Sequence, residues 1–123
     1  MTVQRIICLL LVLAAAGCGV SQATLNEAEA SVREGLEAWK KGGKPAELKA
    51  LARPVEFHEA MWNAGDKLLS YETVRTTYHD RAKVIRCETR LTVRNRKGKQ
   101  KTESVVYEVD LGPPVKVVNN PMP

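Results

Sequence analysis

Two runs between Val84 and Leu111 place apolar residues at nearly every second position, a period that demands strands with one buried face. The clearer run is "AKVIRCETRLTVRN". Ile85, Cys87, Leu91 and Val93 share one face, and Arg86, Glu88, Arg90 and Arg94 share the other. "TESVVYEVDL" repeats the pattern with Val105, Tyr107, Val109 and Leu111. "RKGK" turns the chain between them, with Gly98 as the positive-φ residue. A three-residue loop, Lys97-Gly98-Lys99, would set Leu91 opposite Val105 and Cys87 opposite Val109, keeping both apolar faces on one side. Upstream, "LLSYETVRTTY" reads as another long strand, although neither of its faces is clearly the apolar one. Gly112-Pro113-Pro114 breaks the series, and Val115, Val117 and Val118 begin a last strand.

A sheet with one apolar face needs a cover. Leu25, Ala28, Val32, Leu36 and Trp39 recur at spacings of three and four and predict a helix. Thr24 with Glu27 forms its capping box, and Gly42-Gly43 stops it. "KPAELKALA" predicts a second, short helix with Pro45 in its first turn and Arg53-Pro54 as its end. Val55 and Phe57 suit a short strand, and His58 through Ala64 one helical turn stopped by Gly65. Two segments share the pattern Trp-x-x-Gly-x-Lys: Trp39, Gly42, Lys44 and Trp62, Gly65, Lys67. Each reads as a helix end, a large apolar residue one turn before a left-handed glycine, and one echo is not a repeat array.

The expected fold is therefore α+β: an N-terminal helix, plus a short helix, packed on a roughly four-stranded antiparallel meander. Over Thr24 to Val118 this order resembles cystatin-like and nuclear-transport-factor-like folds, in which a long helix lies across a curved sheet. "PVEFHEAMWNAGDKLLSY" also resembles segments of small bacterial lipoproteins. The inhibitory hairpin of cystatins, Gln-x-Val-x-Gly, has no counterpart in "NRKGKQKTE", so protease inhibition is not implied.

The first residues stand apart from that domain. Arg5 precedes an apolar run from Ile6 to Ala16, too short to span a bilayer and suited to a signal peptide. "AAGC" then resembles a bacterial lipobox, with Ala15 where Leu is usual. The resemblance implies lipidation of Cys18, a membrane anchor and an exported protein, with Gly19 after the cysteine pointing to an outer membrane. Ordinary secretory cleavage after Ser21-Gln22-Ala23 would instead remove Cys18. The expected organisation is a leader at 1–17, a lipidated start and linker at 18–23, one domain at 24–119 and a tail at 120–123. Cys8 falls in the leader, leaving Cys87 as the one free thiol of the domain, expected to be a small buried hydrophobe.

Catalytic and metal signatures are thin. "HEAMW" begins like His-Glu-x-x-His, but Trp62 stands at the second histidine position. With two histidines and one domain thiol, no metal and no cofactor is expected. A pocket between helix and sheet could draw polar groups from His58, Glu59, Asp66, Tyr71, Tyr78, His79 and Asp80, with His58, Asp66 and Tyr71 foremost. "YHD" reads rather as the polar turn where the first hairpin reverses.

Charge says more. Segment 81–101 holds nine basic residues and one acid, against a formal net charge of +5 for the whole chain. Arg86, Arg90 and Arg94 on one strand face, continued by Arg96, Lys97, Lys99 and Lys101 around the turn, are the candidates for an anion-binding face. The alternative is a solvated surface whose arginines pair with Glu88, Glu103, Glu108 and Asp110 across strands. An exported protein without stacking aromatics in this strip is not expected to bind nucleic acid. Anionic lipid, a cell-wall polymer or an acidic protein are the expected partners. Two functions follow: a tethered, non-enzymatic binding module, favoured by a filled helix–sheet interface, or a small-molecule enzyme, favoured by a cavity there.

Overall fold

The computed structural model describes residues 20–120. Cys8 and Cys18, with the leader and anchor readings that rest on them, lie outside the described residues. Helix α1 spans Gln22–Lys40. Its N-cap is Ser21 rather than Thr24: Ser21 holds the extended conformation a cap requires, and its hydroxyl accepts the Thr24 N–H at 3.2 Å. Glu27, expected to close the capping box, is instead engaged by Arg53. Ala28, Ser31, Val32, Gly35, Leu36 and Trp39 form the buried stripe of α1, and Leu25 packs at its margin.

The second helix is a 3₁₀ segment, Pro45–Ala50, not an α-helix. Its bonds reach back three residues, from Glu47 N–H to the Lys44 carbonyl and from Leu51 N–H to the Leu48 carbonyl. Strand β1 (Val55–His58) and a single helical turn α2 (Ala60–Asn63) follow. Then come β2 (Lys67–His79), β3 (Val84–Arg94), β4 (Gln100–Asp110) and β5 (Val115–Asn120).

The sheet has five strands in the order β1-β5-β4-β3-β2. Strands β2 to β5 are the expected antiparallel meander. β1 adds a fifth, pairing parallel with β5 through Val55 opposite Val115 and Phe57 opposite Val117, so the sheet is mixed. The result is an α+β domain with α1 across one face of the sheet.

The register of the central hairpin corrects the sequence reading by two residues. Leu91 faces Glu103, not Val105, and Cys87 faces Tyr107, not Val109. The loop is five residues long because Asn95 accepts the N–H groups of both Lys97 and Lys99 on its side-chain oxygen and so caps a wider turn. Gly98 does take positive φ. A shift of two preserves the face of every residue, which is why Val105, Tyr107 and Val109 are all buried as expected.

β2 has no single apolar face, for a physical reason. Its pairing with β3 slips between Leu68 and Ser70 and again between Thr73 and Arg75. Each bulge inserts a residue and inverts the alternation. The residues opposite the inward side of β3 are Leu68, Tyr71, Thr73, Thr76 and Tyr78, which follow no single period.

Helix α1 runs antiparallel to β2. Moving along it, Glu29 meets Thr76, Arg33 meets Thr73, Glu37 meets Tyr71 and Trp39 meets Asp66. Between helix and sheet the space is filled: Leu36, Cys87, Leu91 and Tyr107 are fully buried. Gly35 lets the Phe57 ring lie against the helix backbone, where a β-carbon would come within 2.2 Å of the ring.

Candidate functional site

The two Trp-x-x-Gly-x-Lys segments meet in space. Trp39 and Trp62 stack with ring centroids 5.8 Å apart and planes 15° from parallel. Their polar edges are tied reciprocally. The Trp39 indole N–H donates to the Asp66 carbonyl at 2.8 Å, and the Trp62 indole N–H donates to the Gly43 carbonyl at 3.0 Å. In each case the acceptor is the residue just after the motif glycine of the other segment. Both turns depend on glycine, with φ of +84° at Gly42 and +91° at Gly65. The segments thus form a clasp that ties the end of α1 to the start of β2. In the sequence they are two similar helix ends; only folding brings them together.

Beside the clasp lies an open groove of about 650 Å³. The 3₁₀ segment and the residue before it supply Lys44, Pro45 and Lys49 to one wall, and Asn63, Asp66 and Lys67 stand on the other. Arg96 of the β3–β4 loop stands beside Gly65, which lines that second wall: a β-carbon at Gly65 would come within 2.8 Å of Arg96 Nε. Lys44, Lys49, Lys67 and Arg96 are all exposed.

The expected anion-binding face divides in two. Over the strands it is neutralised: Arg86 stands 3.5 Å from Glu108, Arg90 3.8 Å from Glu72, and Arg75 3.0 Å from Glu88. Lys101, expected to continue that face, instead pairs opposite Val93 on the other side of the sheet, where it lies 3.6 Å from Glu103. At the groove end, Lys44, Lys49, Lys67, Arg94, Arg96, Lys97 and Lys99 make no ion pair among the described residues.

The polar residues expected around an interior pocket are dispersed. His58 is exposed on edge strand β1, with Glu56 3.9 Å away. Tyr71 lies on β2, the opposite edge, where its hydroxyl donates to Glu37 at 2.5 Å. That bond holds the Glu37 carboxyl below its ordinary value, with Lys40 and Lys41 adding to the effect. Burial first, then Glu37, pushes the Tyr71 phenol up. Asp66 lines the groove and uses its backbone carbonyl in the clasp. Tyr78, His79 and Asp80 lie at the β2–β3 turn, at the other end of the sheet. Among the described residues no group of three or more His, Cys, Asp or Glu side chains could hold a metal ion.

Glu59 has a role that spacing does not reveal. It is fully buried after β1 and accepts three hydrogen bonds: Tyr107 Oη at 2.7 Å, Asn119 Nδ2 at 2.8 Å and the Met61 N–H at 3.1 Å. Burial, with the Glu59 carboxylate next to it, pushes the Tyr107 phenol far above the tyrosine range. A buried inward-facing tyrosine requires an acceptor, and that requirement is the one signal of Glu59 in the sequence. Both partners are sealed from solvent, so this cluster ties β1 and α2 to β4 and β5.

Neither a protein-family model, nor a curated protein, nor a solved structure matches the chain.

Proposed function

We propose that this chain is a small envelope lipoprotein, tethered by Cys18, whose domain is a non-enzymatic binding module meeting anionic partners with its basic side. Its architecture fits the cystatin-like or nuclear-transport-factor-like plan, with one long helix across the sheet. The observation that carries the binding reading is the filled helix–sheet interface. Phe57 lies against Gly35, and Leu36, Leu91 and Tyr107 are wholly buried, in the place where an enzyme of this plan would need its cavity. The buried carboxylate–tyrosine pair, Glu59 and Tyr107, has its polar atoms directed at one another and away from solvent. The anchor rests on "AAGC" and the apolar run before it; several lipid chains, at about 0.8 kcal/mol per buried CH₂, would hold the protein on a membrane.

Two measurements test this reading. Membrane fractionation of the Cys18→Ser chain should find it released, and undiminished membrane association would refute the tether. The lipid-free chain starting at Gly19 should be retained on phosphocellulose at low salt and elute as the Debye length shrinks to about 8 Å near physiological ionic strength. Passage without retention would refute anion binding.

A further inference from the structure

We infer that the groove beside the tryptophan clasp docks an extended phosphate polymer, held between Lys44 and Lys49 on one wall and Lys67 and Arg96 on the other. The inference rests on the anion-binding reading above and narrows it to one site and one chemistry.

The distribution of partners among the cations selects the site. Arg75, Arg86 and Arg90 already have carboxylates across the strands, whereas the groove cations have none among the described residues. An anion reaching the strand face must displace a carboxylate; one reaching the groove displaces only water and counterions. Lys67 also sits directly opposite Arg94 in the β2–β3 register. Like charges at facing positions destabilise a sheet, and a bound anion would turn that repulsion into attraction.

The absence of other recognition features at the groove selects the ligand. Trp39 and Trp62 are 3% and 7% exposed, and both indole N–H groups are committed to backbone carbonyls. The clasp therefore presents no aromatic anchor of the kind that dominates protein interfaces, and no free ring face for stacking bases. What remains is a set of exposed cations, mostly lysines on flexible stems, along both sides of an open channel in which they outnumber the one lining acid, half-buried Asp66. Such a surface suits a chain of repeated phosphates, each neutralised as a point charge.

The groove lies far along the helix from the proposed tether. Cys18 precedes α1 by three residues, Gly19, Val20 and Ser21. The groove lies at the other end of α1, whose 19 residues span about 28 Å. That length is several Debye lengths, each about 8 Å. A tether before α1 thus sets the groove about one helix length from the point of anchoring.

The test is titration of the lipid-free chain from Gly19 with linear inorganic polyphosphate, followed by calorimetry at several salt concentrations. The core described runs from Ala28 to Val117, with Val20 and Leu25 at its margin, so the chain from Gly19 keeps all of it. Two groove variants, Lys44→Gln/Lys49→Gln and Lys67→Gln/Arg96→Gln, are compared with Arg86→Gln/Arg90→Gln, which removes equal charge from the strand face. Each groove pair should weaken binding roughly thirty-fold at low salt and flatten the log–log salt slope by about 1.4–1.8. The strand-face pair should cost about threefold or less. Because the two groove pairs lie on separate walls, misfolding of one, read by circular dichroism, leaves the other as the test. Equal losses from all three pairs would mean diffuse charge and overturn the site. Tighter binding to phosphatidylglycerol vesicles than to polyphosphate, lost in the groove variants, would assign the groove to lipid and overturn the polymer. Failure of the unaltered chain to bind polyphosphate while phosphocellulose still retains it would overturn this inference alone; failure with both would overturn the anion-binding reading beneath it.

Discussion

Replacing Tyr107 with Phe removes one oxygen from the centre of the molecule and leaves its shape otherwise unchanged. That oxygen donates to Glu59 Oε2 at 2.7 Å, beside the Asn119 amide at 2.8 Å on the same carboxylate oxygen. Glu59 then keeps only Asn119 and the Met61 N–H as donors. The substitution creates almost no cavity, so its cost is the lost charge-assisted bond, about 2 kcal/mol within the usual range of about 1.5–3 kcal/mol for bonds to charged groups. For a domain of this size that lowers Tm by roughly 10 °C. Glu59→Gln should cost more, about 3 kcal/mol or above, because the amide nitrogen must confront a donor where Glu59 offered only acceptors. The double variant should be less destabilised than the sum of the singles, with a coupling of about 1 kcal/mol or more. Urea unfolding followed by the fluorescence of buried Trp39 and Trp62 measures all three. A Tyr107→Phe variant within about 0.5 kcal/mol of the parent, with additive singles, would refute the claim that this cluster joins β1 to the meander.

Gly35→Ala should destabilise the domain by about 1–3 kcal/mol, since the new β-carbon would meet the Phe57 ring at 2.2 Å; combining it with Phe57→Leu should recover part of the loss, as thermal melts would show. Tyr71→Phe should raise the Glu37 pKa towards its ordinary value of 4.5, read by NMR titration of the side-chain carboxyl. Because the folded-state pKa of Glu37 is depressed, its stabilising contribution is present above that ordinary value and is lost as pH falls through the folded pKa. In Tyr71→Phe this acid-side loss should shrink, and an unchanged carboxyl titration would rule out Tyr71 as the main cause.

The strands β3 and β4 are legible in the sequence because their alternation is unbroken, and parity survives even when the register is misplaced by two. Leu91 pairs with Glu103 instead of Val105, yet every inward residue stays inward. The stripe on α1 is legible for the same kind of reason: Ala28, Val32, Leu36 and Trp39 obey one period and bury together. The charge excess between Arg81 and Lys101 is equally plain, but not which of those cations find partners. Glu88, Glu103 and Glu108 do find basic partners as the alternation suggests, whereas Glu72 reaches Arg90 only through the bulged register of β2.

Periodicity, then, encodes one helix stripe, a meander, and an apolar face against a charged one. Local signals add β1, the Pro45 segment and the turn that Gly65 ends; how these elements join depends on residues far apart in the chain. β1 becomes a parallel edge because a strand sixty positions later offers it Val115 and Val117. β2 loses its simple alternation to two bulges, whose inserted residues are defined only against β3. Glu59 becomes the buried centre because Tyr107 and Asn119 converge on it from 48 and 60 residues away. The two tryptophan motifs become one clasp because each indole donates to a carbonyl that the other segment's glycine turn exposes. Local spacing reports which way a side chain points; it carries no information about which distant donor or acceptor will be waiting there.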